Sequence, residues 1–208
     1  MKQVYGYWIP ESDNHFHRLI TKRINAGGPA EYQDEIRNMS YQYVTDFSLC
    51  IDIGANVGMW SVPLSKKFKK VISFEPLASV YECLERNTKD LNVELHNIAL
   101  GNVNSTVTIN PGTENIGMNT VDKTSIGNGN VAIKTLDSLH LPKFGLVKLD
   151  CEQYELEILQ GSVNTLLKYK PIIIVEQHPV AELCAVNFLR SLGAKELGNV
   201  RKDYILGW

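Results

Sequence analysis

Short hydrophobic runs alternate along this chain with longer stretches whose apolar positions recur every three to four residues. Leu49–Ile53, Val71–Phe74 and Val93–Ile98 begin 22 residues apart, and each gap holds one amphipathic segment of helix length. This alternation predicts strands joined by crossover helices, hence right-handed βαβ units and a parallel sheet. Leu146–Leu149 and Ile172–Glu176 extend the series. The runs read as apolar throughout, as expected of strands covered on both faces. Lys195–Val200 and Asp203–Trp208 flank a short polar turn and predict an antiparallel hairpin. Stripes at helical spacing are formed by Trp60, Leu64 and Phe68, by Val80, Leu84 and Leu91, and by Leu156, Leu159, Val163 and Leu166. Pro63 falls early in the first of them, which predicts a helix that begins late or bends.

Two regions stand outside this rhythm. Residues 1–47 predict helices at about His15–Ile24 and Tyr32–Tyr43, the second carrying Tyr32, Ile36, Met39 and Tyr43 on one face. They are read as a helical cap on the domain formed by residues 48–208, not as an independent unit. Residues 110–131 are rich in turn formers and predict a long loop, a feature that is commonly functional or disordered. The expected fold is therefore α/β: Rossmann-like and doubly wound, with a mainly parallel seven-stranded sheet, a C-terminal antiparallel hairpin and an N-terminal helical cap.

Composition narrows the function classes. With 208 residues, 44% hydrophobic and 21% charged, the chain fits one globular domain. A net charge of −2 supplies no attraction to nucleic acid or to an anionic membrane. No apolar run reaches the roughly 18 residues of a membrane span. Met1–Trp8 lacks the apolar core of a secretory signal, and Cys50, Cys83, Cys151 and Cys184 form no C-x-x-C pair. Reduced thiols in a cytoplasmic protein are the expectation.

The candidate chemistry begins where the first strand enters Asp52-Ile53-Gly54-Ala55-Asn56-Val57-Gly58 and the second ends in Phe74-Glu75-Pro76. Glu75 lies 75 − 54 = 21 residues beyond Gly54. That is close to the ~20-residue offset at which an acidic group meets a ribose bound over the first turn. A pyrophosphate needs G-x-G-x-x-G so that backbone N–H groups can approach it. Here Ala55 and Asn56 stand where the middle glycine is needed, which suits a nucleoside with no phosphate at this turn. S-adenosylmethionine fits: Asp52 offers negative charge near its ammonium, and Glu75 would accept from both ribose hydroxyls. A tight turn followed by a surface glutamate would leave the same letters.

Asp150 and Glu152 follow the fourth strand, and Glu176 and His178 end the fifth. Open α/β sheets bind ligands beyond the carboxyl ends of their strands, so these groups should converge there. A hydroxyl nucleophile needs a base within hydrogen-bond reach. His178, with an ordinary pKa of about 6.5, would serve near neutral pH, and a buried Asp150 or Glu152 carboxylate would do the same. The same four groups could hold Mg²⁺. A metal is not favoured, because Asp150 also reads as a helix cap and His178 before Pro179 as a strand end.

Asp52 to Ser61, Phe74-Glu75-Pro76 and Asn97-Ile98-Ala99-Leu100-Gly101 together resemble the class I S-adenosylmethionine-dependent methyltransferases. Val147 to Gly161, with Pro171 to Glu176 and then His178, resembles the FkbM branch in particular. The resemblance implies O-methylation, typically of a sugar or other small-molecule hydroxyl, with Gly54, Ala55, Asn56, Gly58, Glu75 and Pro76 around the cofactor. It also implies that adenine lies beside Asn97, Ile98 and Ala99. The acceptor would be a small molecule or glycan near Asp150, Glu152 and His178, approached by the aromatic N-terminus and the 110–131 loop. One departure stands out: the family has Val-Glu-Gly where this chain has Cys151-Glu152-Gln153, losing a permissive backbone position beside the reaction centre. Two other classes stay open, a nicotinamide-dependent oxidoreductase and a non-catalytic S-adenosylmethionine-binding module. Oligomeric state is not legible.

Overall fold

The computed structural model describes residues 1–28, 31–110, 119–177 and 184–208. In chain order the elements begin with strands β1 (Lys2–Val4) and β2 (Tyr7–Ile9), helices α1 (His15–Asn25) and α2 (Asp34–Ser40), and strand β3 (Leu49–Ile53). Then come α3 (Ser61–Ser65), β4 (Lys70–Phe74), α4 (Ala78–Asn87), β5 (Val93–His96), β6 (Ala99–Leu100), β7 (Ser105–Asn110), β8 (Thr120–Asp122) and β9 (Val131–Lys134). The chain closes with β10 (Leu146–Leu149), α5 (Glu155–Gln160), α6 (Val163–Tyr169), β11 (Ile172–Glu176), α7 (Cys184–Ser191), β12 (Lys195–Val200) and β13 (Asp203–Gly207).

Seven strands form the main sheet in the order β12-β13-β11-β10-β3-β4-β5. The pairs from β11 to β5 are all parallel, while β13 runs antiparallel between β11 and β12. The fold is thus the expected Rossmann-like, doubly wound sheet with a C-terminal hairpin. From β3 the chain steps outward one way through β4 and β5, then returns to build β10 and β11 on the other side. The strand order therefore reverses between β3 and β10, which is where such sheets open a ligand crevice.

Side-chain parity sorts the strands onto two cores. Ile51, Ile53, Ile72, Phe74, Val147, Leu149, Ile173 and Val175 face a core shared with α5, α6 and α7. Cys50, Val71, Leu146, Ile174 and Ile205 face the other way, against Trp60, Leu64, Phe68 and Ile36. Not every strand position is apolar as read from sequence. Asp52, Ser73 and Lys148 are buried in the sheet, where the Ser61 hydroxyl bonds Asp52 and Ser73 at 2.6 and 2.9 Å and Lys148 reaches the Gly54 carbonyl at 2.9 Å.

Three local expectations need correction. The N-terminal cap is not all helical: β1 and β2 make a hairpin turning at Tyr5 (φ +47°) and Gly6 (φ +86°). Two consecutive positive φ values are what a two-residue hairpin of this hand requires. The hairpin docks on α4, where the Asn87 side chain accepts from the Trp8 N–H at 2.7 Å and donates to its carbonyl at 2.8 Å. Within the region expected to be loop, β8 and the start of β9 join β6 and β7 in a second sheet, ordered β6-β9-β7-β8; residues 111–118 lie outside the described residues. The stripe from Leu156 to Leu166 is carried by two helices, because the chain breaks at Gly161-Ser162. A Cβ on Gly161 would sit 1.9 Å from the Gly101 carbonyl oxygen, so this contact admits only glycine. α3 spans only Ser61–Ser65 and starts before Pro63, which sits in its first turn, where proline is tolerated. Among the described residues no helix is long and apolar enough to cross a membrane.

Candidate active site

Gly54 leaves β3 at φ +73°, and a Cβ there would lie 2.0 Å from the Asp150 carbonyl oxygen. The turn can therefore press against the end of β10 only with glycine. The N–H groups of Gly54 and Ala55 both reach the Phe74 carbonyl, at 3.1 and 3.0 Å, and lock the turn to the end of β4. Asn56 follows at φ +51°, and its side chain accepts the Val57 N–H at 2.8 Å. Glu75 is pinned from two sides: Asn56 N–H donates to Oε2 and Leu77 N–H to Oε1, each at 3.0 Å. Burial nevertheless pushes the Glu75 carboxyl up to about 7, the two N–H groups and Lys148 offsetting it only in part.

These residues form one end of a cavity of about 340 Å³. Gly54, Ala55, Asn56, Glu75, Pro76, Ile98 and Ala99, all expected from sequence, line it. Three other expected residues stand one layer back. Asp52 is fully buried under the turn, where Ser61 Oγ donates to its Oδ2 at 2.6 Å. Gly58 (φ +92°) packs against Leu84 of α4, and the Asn97 amide ties down the carbonyls of Glu75 and Pro76 at 2.8 and 3.1 Å. Parity explains Asp52: it points to the sheet face opposite Ile51 and Ile53, toward Ser61.

The same cavity also collects Lys148, Asp150, Glu152, Glu176 and Lys202, walled by Trp60 and by His15, Phe16 and Tyr32 of the N-terminal segment. Asp150, Glu152 and Glu176 each bring a carboxylate oxygen within 4.8 Å of the others. Lys202 pairs with Glu176. Burial and the charge of Asp150 push Glu152 up to about 7 and the neighbouring Asp203 to about 6. Gln33 links this cluster to the wall: it accepts from Trp60 Nε1 at 2.6 Å and donates to Asp203 at 3.4 Å. His178 lies outside the described residues. Of the aromatic N-terminal residues, His15 and Phe16 reach the cavity, whereas Tyr5, Tyr7, Trp8 and His17 are not part of its wall. Asn119 and Val121 bring the 110–131 segment to it.

The backbone under Glu152 and Gln153 is unusual. Both adopt positive φ, +48° and +70°, a left-handed pair costly for residues with a Cβ. This is the stretch where the family pattern places glycine. Lys148 was missed altogether by sequence reasoning. It pairs in register with Asp52 and is 3% exposed, and a lysine inside a doubly covered parallel strand is itself the signal that would have found it.

The methyltransferase FkbM domain matches residues 52–195 of this chain. The protein belongs to the FkbM methyltransferase family. A curated relative, the hexuronic acid methyltransferase AglP of Haloferax volcanii, is 31% identical over 152 residues, 70% of this chain and 62% of that protein. The chain thus spans less than two thirds of that relative. Among solved structures, the FkbM methyltransferase of Methylobacillus flagellatus KT superposes with a TM-score of 0.52 at 18% identity, over 78% of this chain and 43% of the other. The Streptococcus mutans protein SMU.1697c, solved in complex with SAH, gives 0.51 at 11% identity, over 85% and 97%. At these identities the two structures speak for the fold alone. For an FkbM chain lacking the middle glycine of a dinucleotide site, nothing supports the nicotinamide reading.

Proposed function

We propose that this FkbM protein transfers a methyl group from S-adenosylmethionine to a hydroxyl oxygen of a sugar, a glycan or another small molecule. The observation that carries the reading is the single cavity joining Glu75 and the glycine turn to the Asp150–Glu152–Glu176 cluster. The donor fits the residues present. Each Glu75 oxygen accepts one N–H and retains a lone pair for a ribose hydroxyl. Pro76, Ile98 and Ala99 offer an apolar slot for adenine, and the Gly54–Asn56 backbone cradles the amino-acid end. Asp52, Gly58 and Asn97 hold these groups in place from behind. The relative named for hexuronic acid supports a sugar acceptor.

When bound, the donor supplies a methyl group on a cationic sulfonium, open to attack by oxygen. The chain's own task is to align that oxygen and remove its proton. Asp150 accepts the acceptor's hydrogen bond, and Glu152, near 7 and so part ionised at neutral pH, takes the proton on its carboxylate. His178, two residues past the end of β11 in sequence, is a second acceptor-side candidate. Tyr32, Phe16 and Trp60 exclude water, with residues 1–47 acting as a cap on the domain of residues 48–208. No metal is assigned: Lys202 balances Glu176 and Lys148 lies beside Asp150. The acidic acceptor end and the net charge of −2 favour a small molecule or glycan over nucleic acid. The four free thiols favour the cytoplasm.

The test is methyl transfer from isotopically labelled donor to a panel of sugars and glycans, followed across pH. With the donor saturating, so that Glu75 is already ionised, wild-type kcat/KM for the acceptor should rise through about pH 7 as Glu152 ionises, and Glu152→Gln should lose that rise and roughly a hundredfold or more in rate. Absence of transfer to every hydroxyl acceptor, or an unchanged profile in the variant, refutes the reading.

A further inference from the structure

We propose that Lys148 binds the carboxylate at the amino-acid end of the methyl donor. The proposal rests on the methyl-donor reading above and assigns a role to a residue outside the glycine turn. Lys148 lines the cavity, and its Nζ donates to the Gly54 carbonyl at 2.9 Å and lies 6.0 Å from the centre of the Trp60 ring. Its two carboxylate neighbours are too far for hydrogen bonds: Asp52 Oδ1 at 3.6 Å and Asp150 Oδ2 at 3.9 Å. An ammonium carries three donors, and among the described residues one is used. A cation that is 3% exposed and holds unspent N–H groups is costly to leave so. Burial drags its pKa down, but Asp150 and Asp52 more than restore it, so the group stays charged.

Charge balance points to the same partner. Lys148 and Asp150 place a cation and a carboxylate side by side on the cavity wall. The donor's amino-acid end, with sulfonium, ammonium and carboxylate, sums to one positive charge. Its cationic groups suit the Asp150 carboxylate on the same wall, which leaves the donor's carboxylate for Lys148. The Lys148 ammonium sits against the carbonyl of Gly54, the residue that forms the cradle, which puts it beside the donor's amino-acid end.

A lysine that merely props up the turn would weaken every ligand alike, whereas one that grips the carboxylate discriminates by ligand. Titration calorimetry of the full chain should therefore compare S-adenosylhomocysteine, its decarboxylated analogue and methylthioadenosine. We expect the wild type to prefer the carboxylate-bearing ligand over the decarboxylated one by about ten- to a hundredfold, the range of a charged hydrogen bond. Lys148→Gln, which keeps an N–H donor for the Gly54 carbonyl, should erase that preference and leave methylthioadenosine affinity unchanged. Equal affinity of the wild type for the first two ligands overturns the proposal, whether or not the variant folds. So does a variant that weakens all three ligands by one factor. Failure of the wild type to bind any of the three overturns instead the methyl-donor reading beneath it.

Discussion

Binding of S-adenosylhomocysteine should expel a proton from Glu75. Burial holds this carboxyl near 7, well above its ordinary 4.5, in spite of the N–H groups of Leu77 and Asn56. Two ribose hydroxyls donating into its free lone pairs favour the charged form, so binding and ionisation are coupled. With a pKa near 7, the free carboxyl is about three-quarters protonated at pH 6.5 and about one-tenth at pH 8. Proton release should then fall from about 0.8 to about 0.1 per ligand between those pH values, and affinity should tighten about fourfold over the same interval. The sign for the free protein is the reverse. Its neutral Glu75 favours the folded state, a contribution complete below 4.5 and lost as pH rises through about 7. Stabilisation by ligand therefore grows across that window. Calorimetric titration at both pH values, in buffers of different ionisation enthalpy, reads the proton directly. Glu75→Gln should release none. Identical heats in the two buffers at pH 6.5, or the same release from the variant, would refute the reasoning.

Other outcomes follow from the backbone. Gly54→Ala places a methyl group 2.0 Å from the Asp150 carbonyl at φ +73°. It should cost about 3 kcal/mol of stability, read in a melt as roughly 6–10 °C; an unchanged Tm sinks the account of the turn. Gln153→Gly relieves a φ of +70° at an exposed position. It should stabilise by about 1 kcal/mol, net of the extra freedom glycine gains when unfolded. Urea denaturation checks this, and a loss of stability would show that the left-handed pair is not strained.

Much of this protein could be read along its length. Strand–helix alternation, the 21-residue step from Gly54 to Glu75 and the turn chemistry at both depend on neighbours in sequence and on periods of two or about four residues. They led to the sheet, the glycine turn and the family. The β1–β2 hairpin was equally local, written in Tyr5-Gly6, but its strands are three residues long, too short for alternation to register. The small sheet was hidden for the same reason, since β6 and β8 hold two and three residues.

What the sequence by itself determined was the order of the main-sheet strands and the glycine turn after the first of them, because propensity and spacing are short-range properties of the chain. What only the tertiary structure decided was the charged wall of the cavity. There Lys148 meets Asp52 across 96 residues (148 − 52), Gln33 bridges Trp60 and Asp203, and Lys202 balances Glu176. Charges in a buried site take their meaning from distances of a few ångströms, and those distances are set by which strands lie side by side.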